Sequence, residues 1–350
     1  MNTRFFLLTL CVLVVVFFTN TASTPPARTL DVYWVDVEGG AATLLVTPAG
    51  ESVLIDTGNP GGRDAQRIYQ VATEVAGLKQ IDHLIVTHFH IDHYGGAAEL
   101  AKKMPIKRIY DKGIPQTLRE DAEFASRIAP YRQIQAERIT LKPGTQIKLK
   151  ALPKRVAKLA LWCLGLDQKF ADKADPQANT ANCDAATDKP VDTSDNANST
   201  VFMMEFGSFR FFDGGDLTWN VEKTLVCPDN LPGEVDVFQV NHHGLDQSNN
   251  PVLVKALLPT VAVINNGTRK GCGPDTFTAL QNTPSIQAIY QLHKNLREDG
   301  ATINTQPEKI ANMEENCAAN YVKLSVEADG EKYTLSIPAT KHQQVFTTKK

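Results

Sequence analysis

Residues 87–96, THFHIDHYGG, concentrate metal-binding side chains in one short stretch. Within it, His88, His90, Asp92 and His93 occupy four of six consecutive positions. Side chains two positions apart in an extended chain point the same way, so His88 and His90 are able to hold one cation together. Asp92 and His93 follow in the turn and are able to reach a second cation. Imidazole with carboxylate suits zinc, and manganese or iron are the alternatives.

The surrounding segments indicate which elements position these side chains. The short apolar run IDHLIVT, residues 81–87, predicts a strand before the motif, and GGAAELAKKM, residues 95–104, predicts a helix after it. The same order of strand, polar loop and helix recurs along the chain. This alternation is typical of an α/β fold in which strand ends present the functional loops.

The motif resembles the HxHxDH motif of the metallo-β-lactamase superfamily. One segment before it and two segments after it resemble other motifs of that family. VLIDTG contains Asp56, which the resemblance assigns to orienting the metal loop. FFDGGD ends in Asp216, the aspartate that bridges two metals, and VNHHG offers His242 or His243 to the second metal. The resemblance spans residues 30–295 and implies a four-layer αβ/βα sandwich, in which two mixed β-sheets are flanked by helices.

Within the superfamily, the sequence most resembles the hydrolase domain of the ComEC/Rec2 competence proteins. The segments WVDVEGG…LIDTG, residues 34–58, and NANSTVFMMEFGSFRFFDGGD, residues 196–216, carry this likeness. The ComEC/Rec2 proteins are embedded in the membrane by many helices, whereas this sequence has one apolar run at its N-terminus. The resemblance therefore does not imply a role as a DNA channel.

The family likeness implies two metal ions, for which we expect zinc, that share a hydroxide steered by Asp92. The family's third histidine on the first metal has no counterpart, since no histidine occurs from Tyr94 to Asn241. We expect a weaker first site, completed by solvent or Asn198. The first metal is assigned His88, His90 and Asp216; the second is assigned Asp92, His93, Asp216 and either His242 or His243.

Other loops that follow strands are expected to face the same cleft. Asn265 and Asn266 follow one predicted strand and His293 ends another, which makes them candidates for substrate contact or ordinary loop residues. Asp36 and Glu38, in the loop after the first strand, either support the metal ligands or only form the turn.

The N-terminus predicts export. Arg4, an apolar run over residues 5–18 and small polar residues up to Ser23 are typical of a signal peptide over residues 1–23, and thus of a secreted or periplasmic protein. We expect no membrane span in the mature chain. An oxidising compartment permits disulfides, and we expect one or two with one thiol left over. The cysteines concerned are Cys163, Cys183, Cys227, Cys272 and Cys317.

The 350 residues predict one hydrolase domain over residues 30–338. Residues 167–199, poor in large apolar side chains, are interpreted as a surface insertion, and residues 339–350 as a flexible tail. The formal net charge of −3 gives no general attraction to nucleic acid, so we infer no stable nucleic-acid partner. The sequence leaves the oligomeric state open.

The leading hypothesis is a secreted metallo-hydrolase with two zinc ions that cleaves a phosphodiester, as the ComEC/Rec2 likeness implies. Two alternatives stay open. One is a lactone, lactam or ester hydrolase, which the wider superfamily allows, and the other is a non-catalytic metal-binding protein of the same fold.

Overall fold

A computed structural model describes residues 28–172 and 177–349. The signal peptide predicted for residues 1–23 lies outside these residues. None of the helices in the described part of the chain has the length and apolar character needed to cross a membrane.

The described residues form strands and short helices in alternation. The strands are β1 Leu30–Trp34, β2 Thr43–Val46, β3 Ser52–Ile55, β4 Ile81–Ile85, β5 Ile106–Asp111, β6 Glu137–Thr140, β7 Leu159–Leu166, β8 Lys169–Phe170, β9 Gln177–Ala178, β10 Val201–Phe206, β11 Phe209–Asp213, β12 Asp229–Asn230, β13 Val237–Gln239, β14 Val261–Ile264, β15 Ala288–His293, β16 Ile310–Asn312, β17 Val322–Val326, β18 Lys332–Ile337 and β19 His342–Thr347. The α-helices are α1 Arg63–Gln70, α2 Ile91–Tyr94, α3 Ala97–Lys103, α4 Phe124–Arg127, α5 Ala129–Arg132, α6 Thr180–Cys183, α7 Trp219–Val226, α8 Pro251–Leu257 and α9 Pro274–Gln281.

Two mixed sheets contain most of the strands. The first has the order β19-β18-β17-β1-β2-β3-β4-β5-β6 and the second has the order β16-β15-β14-β13-β11-β10-β7-β8. The first sheet is antiparallel from β19 to β3 and parallel from β3 to β6. The second is parallel from β16 to β11 and antiparallel from β11 to β8.

The alternation of side chains along the strands explains the layering. On β10, Phe202, Met204 and Phe206 join the core between the two sheets, whereas Val201 and Met203 join the core beneath α7, α8 and α9. A third core lies between the first sheet and the helices α1 and α3. The layers are therefore helix, sheet, sheet and helix, which confirms the predicted αβ/βα sandwich.

The predicted flexible tail is wrong for half of its length, because six of its twelve residues form a strand. Residues 342–347 form β19, which pairs with β18 in antiparallel register at the edge of the first sheet. The anchor is Phe346, the only large aromatic residue after Tyr333. Its ring stacks on Tyr333 at a centroid distance of 5.3 Å and is buried in the core between the sheets. One buried aromatic ring thus orders a segment that is otherwise polar.

The predicted insertion is covalently tied to the second sheet's helical layer. A disulfide joins Cys183 to Cys227, which directly follows α7. Among the described cysteines, Cys163, Cys272 and Cys317 are free. One bridge therefore forms, as expected, but three thiols remain rather than one.

A polar link joins the two sheets inside their shared core. The Trp34 indole Nε1 on β1 donates a hydrogen bond of 2.8 Å to Gln239 Oε1 on β13, and Thr43 Oγ1 donates to the same oxygen at 2.7 Å. The Trp34 ring also meets Phe211 edge to face, with centroids 5.9 Å apart. Because all these side chains are buried, the link fixes one alignment of the sheets.

We expect Trp34→Phe to lower the free energy of unfolding by about 2 kcal/mol, because it removes buried ring volume and one buried hydrogen bond. Denaturant titration measures this loss. Trp219→Phe is the matched control, since Trp219 Nε1 donates to Thr187 O at the surface. Equal losses in the two variants would contradict a special role for the link between the sheets.

Candidate metal centre

Loops at the carboxyl ends of four strands supply the polar residues of the site. Asp56 follows β3, His88 begins the loop after β4, Asp216 follows β11, and the pair His242 and His243 follows β13. β3 and β4 are parallel neighbours in the first sheet, and β11 and β13 are parallel neighbours in the second. Parallel strands present their carboxyl ends on one side, so the four loops meet there.

The loop from β4 lies against its neighbours with no room for added side chains. A Cβ atom on Gly96 would lie 2.2 Å from the carbonyl oxygen of Thr57. A Cβ atom on Gly40 would lie 2.6 Å from the carbonyl oxygen of Asp92. The backbone N–H of Thr57 also donates to the carbonyl oxygen of His93 at 2.7 Å. The positions of Asp92 and His93 are therefore fixed by the backbone as well as by their side chains.

The ligands predicted for the second metal are brought together. One ligand atom each from Asp92, His93, Asp216 and His243 lies within 4.8 Å of the others. His243 Nε2 is 3.3 Å from both Asp92 Oδ2 and Asp216 Oδ2, and His93 Nε2 is 3.1 Å from Asp216 Oδ2. His243, and not His242, is thus the member of the pair that belongs to this group.

Carboxylates outside this group orient two of the histidines. Asp56 Oδ2 lies 2.7 Å from His93 Nδ1, which leaves Nε2 of that ring to face Asp216. Thr87 holds Asp56 in turn, by its backbone N–H at 2.8 Å and its hydroxyl at 2.7 Å. Asp56 is therefore placed to orient the His93 ring. Glu120 Oε1 lies 3.0 Å from His90 Nε2, which leaves Nδ1 of His90 as the nitrogen for a metal.

The predicted role of Asn198 at the first metal is wrong. Its Oδ1 accepts a hydrogen bond from Gln168 Nε2 at 3.0 Å, and its Nδ2 donates to Asp195 Oδ1 at 3.4 Å. Residues 195–198 form a 3₁₀ turn, so side chains two positions apart point to different sides. Asn196 instead faces the site, where its Nδ2 lies 3.3 Å from His242 Nε2.

The burial of these groups fits a site for two divalent metals. Nε2 of His88 is buried and has no hydrogen-bond partner among the described residues. Burial, with His93 close by, lowers the pKa of His88 well below its usual value and keeps the ring neutral, the form that binds metals. Burial alone raises the pKa of Asp216, but the histidines around it outweigh this effect and hold the pKa well below its usual range.

Two of the predicted substrate contacts are wrong, because those side chains are used inside the fold. His293 is fully buried, and its Nε2 lies 2.6 Å from Asp36 Oδ1. Asn266 Nδ2 donates to the carbonyl oxygens of Gly267 at 2.9 Å and of His293 at 2.8 Å. Asn265 is only 4% exposed, which leaves it little surface for a substrate.

Asp36 belongs to a second group of metal-ligand types, with His293 and Cys317. Arg67 already neutralises its charge, because Nη1 lies 2.9 Å from Asp36 Oδ2 and Nη2 lies 2.8 Å from Glu38 Oε1. The Cys317 thiol lies 3.2 Å from the same Asp36 oxygen. We interpret this group as an ion-pair network that braces the loop after β1.

A cleft of about 890 Å³ has Asn196 in its wall, and Asn196 in turn contacts His242. The insertion supplies further wall residues, including Lys189 and Asp192. The other charged groups in the wall are Asp246, Arg269, Arg297 and Asp299. Lys270, next to Arg269, places its ammonium group directly on Asp92 Oδ2. The cleft wall therefore has mixed charge, and Lys270 forms an ion pair with the Asp92 carboxylate.

Comparison with known proteins shows which family the sequence resembles. The sequence model of the metallo-beta-lactamase superfamily matches residues 35–153, a stretch that includes the whole THFHIDHYGG motif. This match agrees with the superfamily that the motifs predicted, and it supports a metal-dependent hydrolase.

Individual relatives agree with this family. ComE operon protein 3 of Bacillus subtilis is 26% identical over 253 residues, which are 68% of this chain and 28% of that protein. A UPF0173 metal-dependent hydrolase of Polynucleobacter asymbioticus is 30% identical over 124 residues, 35% of this chain and 42% of that protein. The match to ComE operon protein 3 supports the predicted ComEC-like relation, although the chain spans less than half of either relative.

Solved structures resemble the chain only weakly. The alignment with the diiron β-hydroxylase CmlA from Streptomyces venezuelae covers 69% of this chain and 45% of the CmlA chain. The sequence identity is 17% and the TM-score is 0.35.

Glu222 on α7 holds the loop that contains the two adjacent histidines, a role that was not predicted from the sequence. Its Oε1 accepts from Asn241 Nδ2 at 2.6 Å and from the backbone N–H of Asn249 at 2.8 Å. Its Oε2 accepts from the backbone N–H of Asn250 at 2.7 Å. Two of these partners are backbone N–H groups. Every residue except proline has such a group, so the sequence around Glu222 does not indicate these contacts.

We expect Glu222→Gln to weaken metal binding about tenfold, because either orientation of the amide sets an N–H group against another donor. Titration with a divalent metal and thermal melts with and without metal measure the effect. Glu74→Gln, at an exposed position, is the control. Indistinguishable behaviour of the two variants would refute the role of Glu222 in holding the loop.

Proposed function

We propose that this chain is an exported hydrolase with a centre of two zinc ions, and that it cleaves phosphodiesters. The main support for the proposal is the group of histidines around the Asp216 carboxylate. Its Oδ2 lies within 3.9 Å of ring nitrogens from His88, His93, His242 and His243. Four histidines around one buried carboxylate suit a bridging ligand between two cations.

The residues divide into three tasks. When bound, two zinc ions would make water nucleophilic at neutral pH and polarise the bond to be cleaved; manganese or iron would supply the same chemistry. Asp216 lies between the two sets of histidines and would link them. Asp92 lies at the outer edge, 15% exposed at its side chain, where it is able to orient the attacking water. Asp56 and Glu120 keep the rings of His93 and His90 in place.

The phosphodiester assignment is supported by Lys270. Its side chain is 41% exposed and contacts Asp92, so its ammonium is able to meet a substrate anion at the centre. The mixed charge of the cleft, with Asp192 and Asp246 among its walls, favours the second candidate, a lactone, lactam or ester hydrolase. A small-molecule substrate is compatible with both candidate functions.

Export is supported by the disulfide between Cys183 and Cys227, because such bridges persist in oxidising compartments. The signal peptide proposed for residues 1–23 agrees with it. The proposal places the enzyme outside the cytosol, either secreted or in a periplasm.

We expect the purified protein to contain two equivalents of zinc and to hydrolyse bis(p-nitrophenyl) phosphate faster than nitrocefin or a lactone panel. Asp92→Ala should lower kcat by at least about a hundredfold, because it removes both a ligand and the group that orients water. Elemental analysis and initial rates measure both effects. Two bound zinc ions without turnover of any substrate would favour the alternative, a non-catalytic metal-binding protein of the same fold.

Lys270→Met separates the two substrate classes. We expect kcat/KM to fall about tenfold for the phosphodiester and less than about threefold for a neutral lactone, because only the former carries a charge for the ammonium. Lys332→Met, at an exposed position on β18, is the control. Equal losses on both substrates would argue against recognition of an anion by Lys270.

A further inference from the structure

The histidines of the centre divide into two classes by the carboxylates that they approach. Asp92 Oδ2 lies 3.6 Å from His93 Nε2 and 3.3 Å from His243 Nε2. Asp216 Oδ2 contacts the same two rings and, in addition, His88 Nε2 at 3.9 Å and His242 Nε2 at 3.6 Å. His88 and His242 therefore share Asp216 without sharing Asp92.

The backbone of the pair separates its two rings. His242 and His243 both have left-handed conformations, with φ of 53° and 55°. This conformation is unfavourable for residues other than glycine and is kept only where the surroundings require it. The ring centroids lie 6.0 Å apart with planes inclined by 65°. The His243 ring thus reaches both Asp92 and Asp216, whereas the His242 ring reaches only Asp216 of these two carboxylates.

His242 is oriented in the way that metal-binding histidines usually are. Its Nδ1 lies 3.1 Å from Ser248 Oγ, which leaves Nε2 on the side of Asp216. Asp56 acts in the same way on His93, and Glu120 does so on His90. His242 is only 6% exposed, so its Nε2 does not face bulk solvent.

We infer that His242 is the third histidine of the first metal site, beside His88, His90 and Asp216. The inference rests on the proposed centre of two metals. The sequence has no histidine from Tyr94 to Asn241, where the family's third ligand was expected. The pair His242 and His243 fills that gap by giving one ring to each metal. Both sites then have a full set of protein ligands, and the first is not the weaker, open site that the sequence analysis expected.

A structural role for His242 is the rival interpretation. Asn196 Nδ2 lies 3.3 Å from His242 Nε2 and would be its partner in that case. Asn196 Oδ1 is itself buried without a partner among the described residues, so this contact leaves the Asn196 amide only partly satisfied. The two interpretations differ in what removal of the His242 ring does to metal binding.

Cobalt(II) titration of the full-length protein separates them. We expect the wild type to take up two equivalents and His242→Ala to retain one, with the first-site affinity reduced at least a hundredfold. His243→Ala should also retain one equivalent, but with a different visible absorption spectrum, because the remaining ion has different ligands. His342→Ala, outside the centre, is the control and should bind as the wild type does.

Ser248→Ala is a second variant that leaves every ligand in place. It should weaken the first site about tenfold and leave the second unchanged, and it keeps the test valid if His242→Ala does not fold. Two equivalents bound with an unchanged spectrum in folded His242→Ala, or an unchanged first-site affinity in Ser248→Ala, would overturn the inference and leave the proposed centre intact. A single equivalent in the wild type would overturn both.

Discussion

A buried carboxylate that faces several histidines is the constraint on which this molecule depends. Asp216 is only 3% exposed, and its Oδ2 has ring nitrogens on several sides. A buried negative charge is costly unless positive charge or donors surround it. The residues that meet this need come from both sheets, since the loop after β4 brings His88 and His93 and the loop after β13 brings His242 and His243. The link from Trp34 to Gln239 aligns the same two sheets elsewhere in their shared core.

The candidate ligands could be predicted from the sequence because those residues are concentrated in short motifs at strand ends. His88, His90, Asp92 and His93 follow one strand, and their chemistry is visible without any tertiary information. The role of Asp56 was also predictable through the family likeness. The four-layer sandwich followed from the same likeness, and the alternation along strands such as β10 gives it a physical basis.

The errors arose where tertiary contacts decide the use of a side chain. Asn198 was misplaced by two positions, because a 3₁₀ turn directs Asn196 to the site instead. His293 ends a strand as an active-site residue would, but it points into the fold, where Asp36 holds it. Glu120 and Glu222 were missed, because their partners lie far away in sequence.

The insertion has a consequence for where the cleft tolerates substitution. Its residues form part of the cleft wall but contribute none of the proposed metal ligands, and the disulfide ties it to the end of α7. Within its described residues, only the end of the insertion near Asp195 contacts the metal-binding loop, where Asp195 accepts a hydrogen bond from the backbone N–H of Phe89. Substitutions at Lys189 or Asp192 would therefore alter the surface of the cleft without removing a proposed metal ligand.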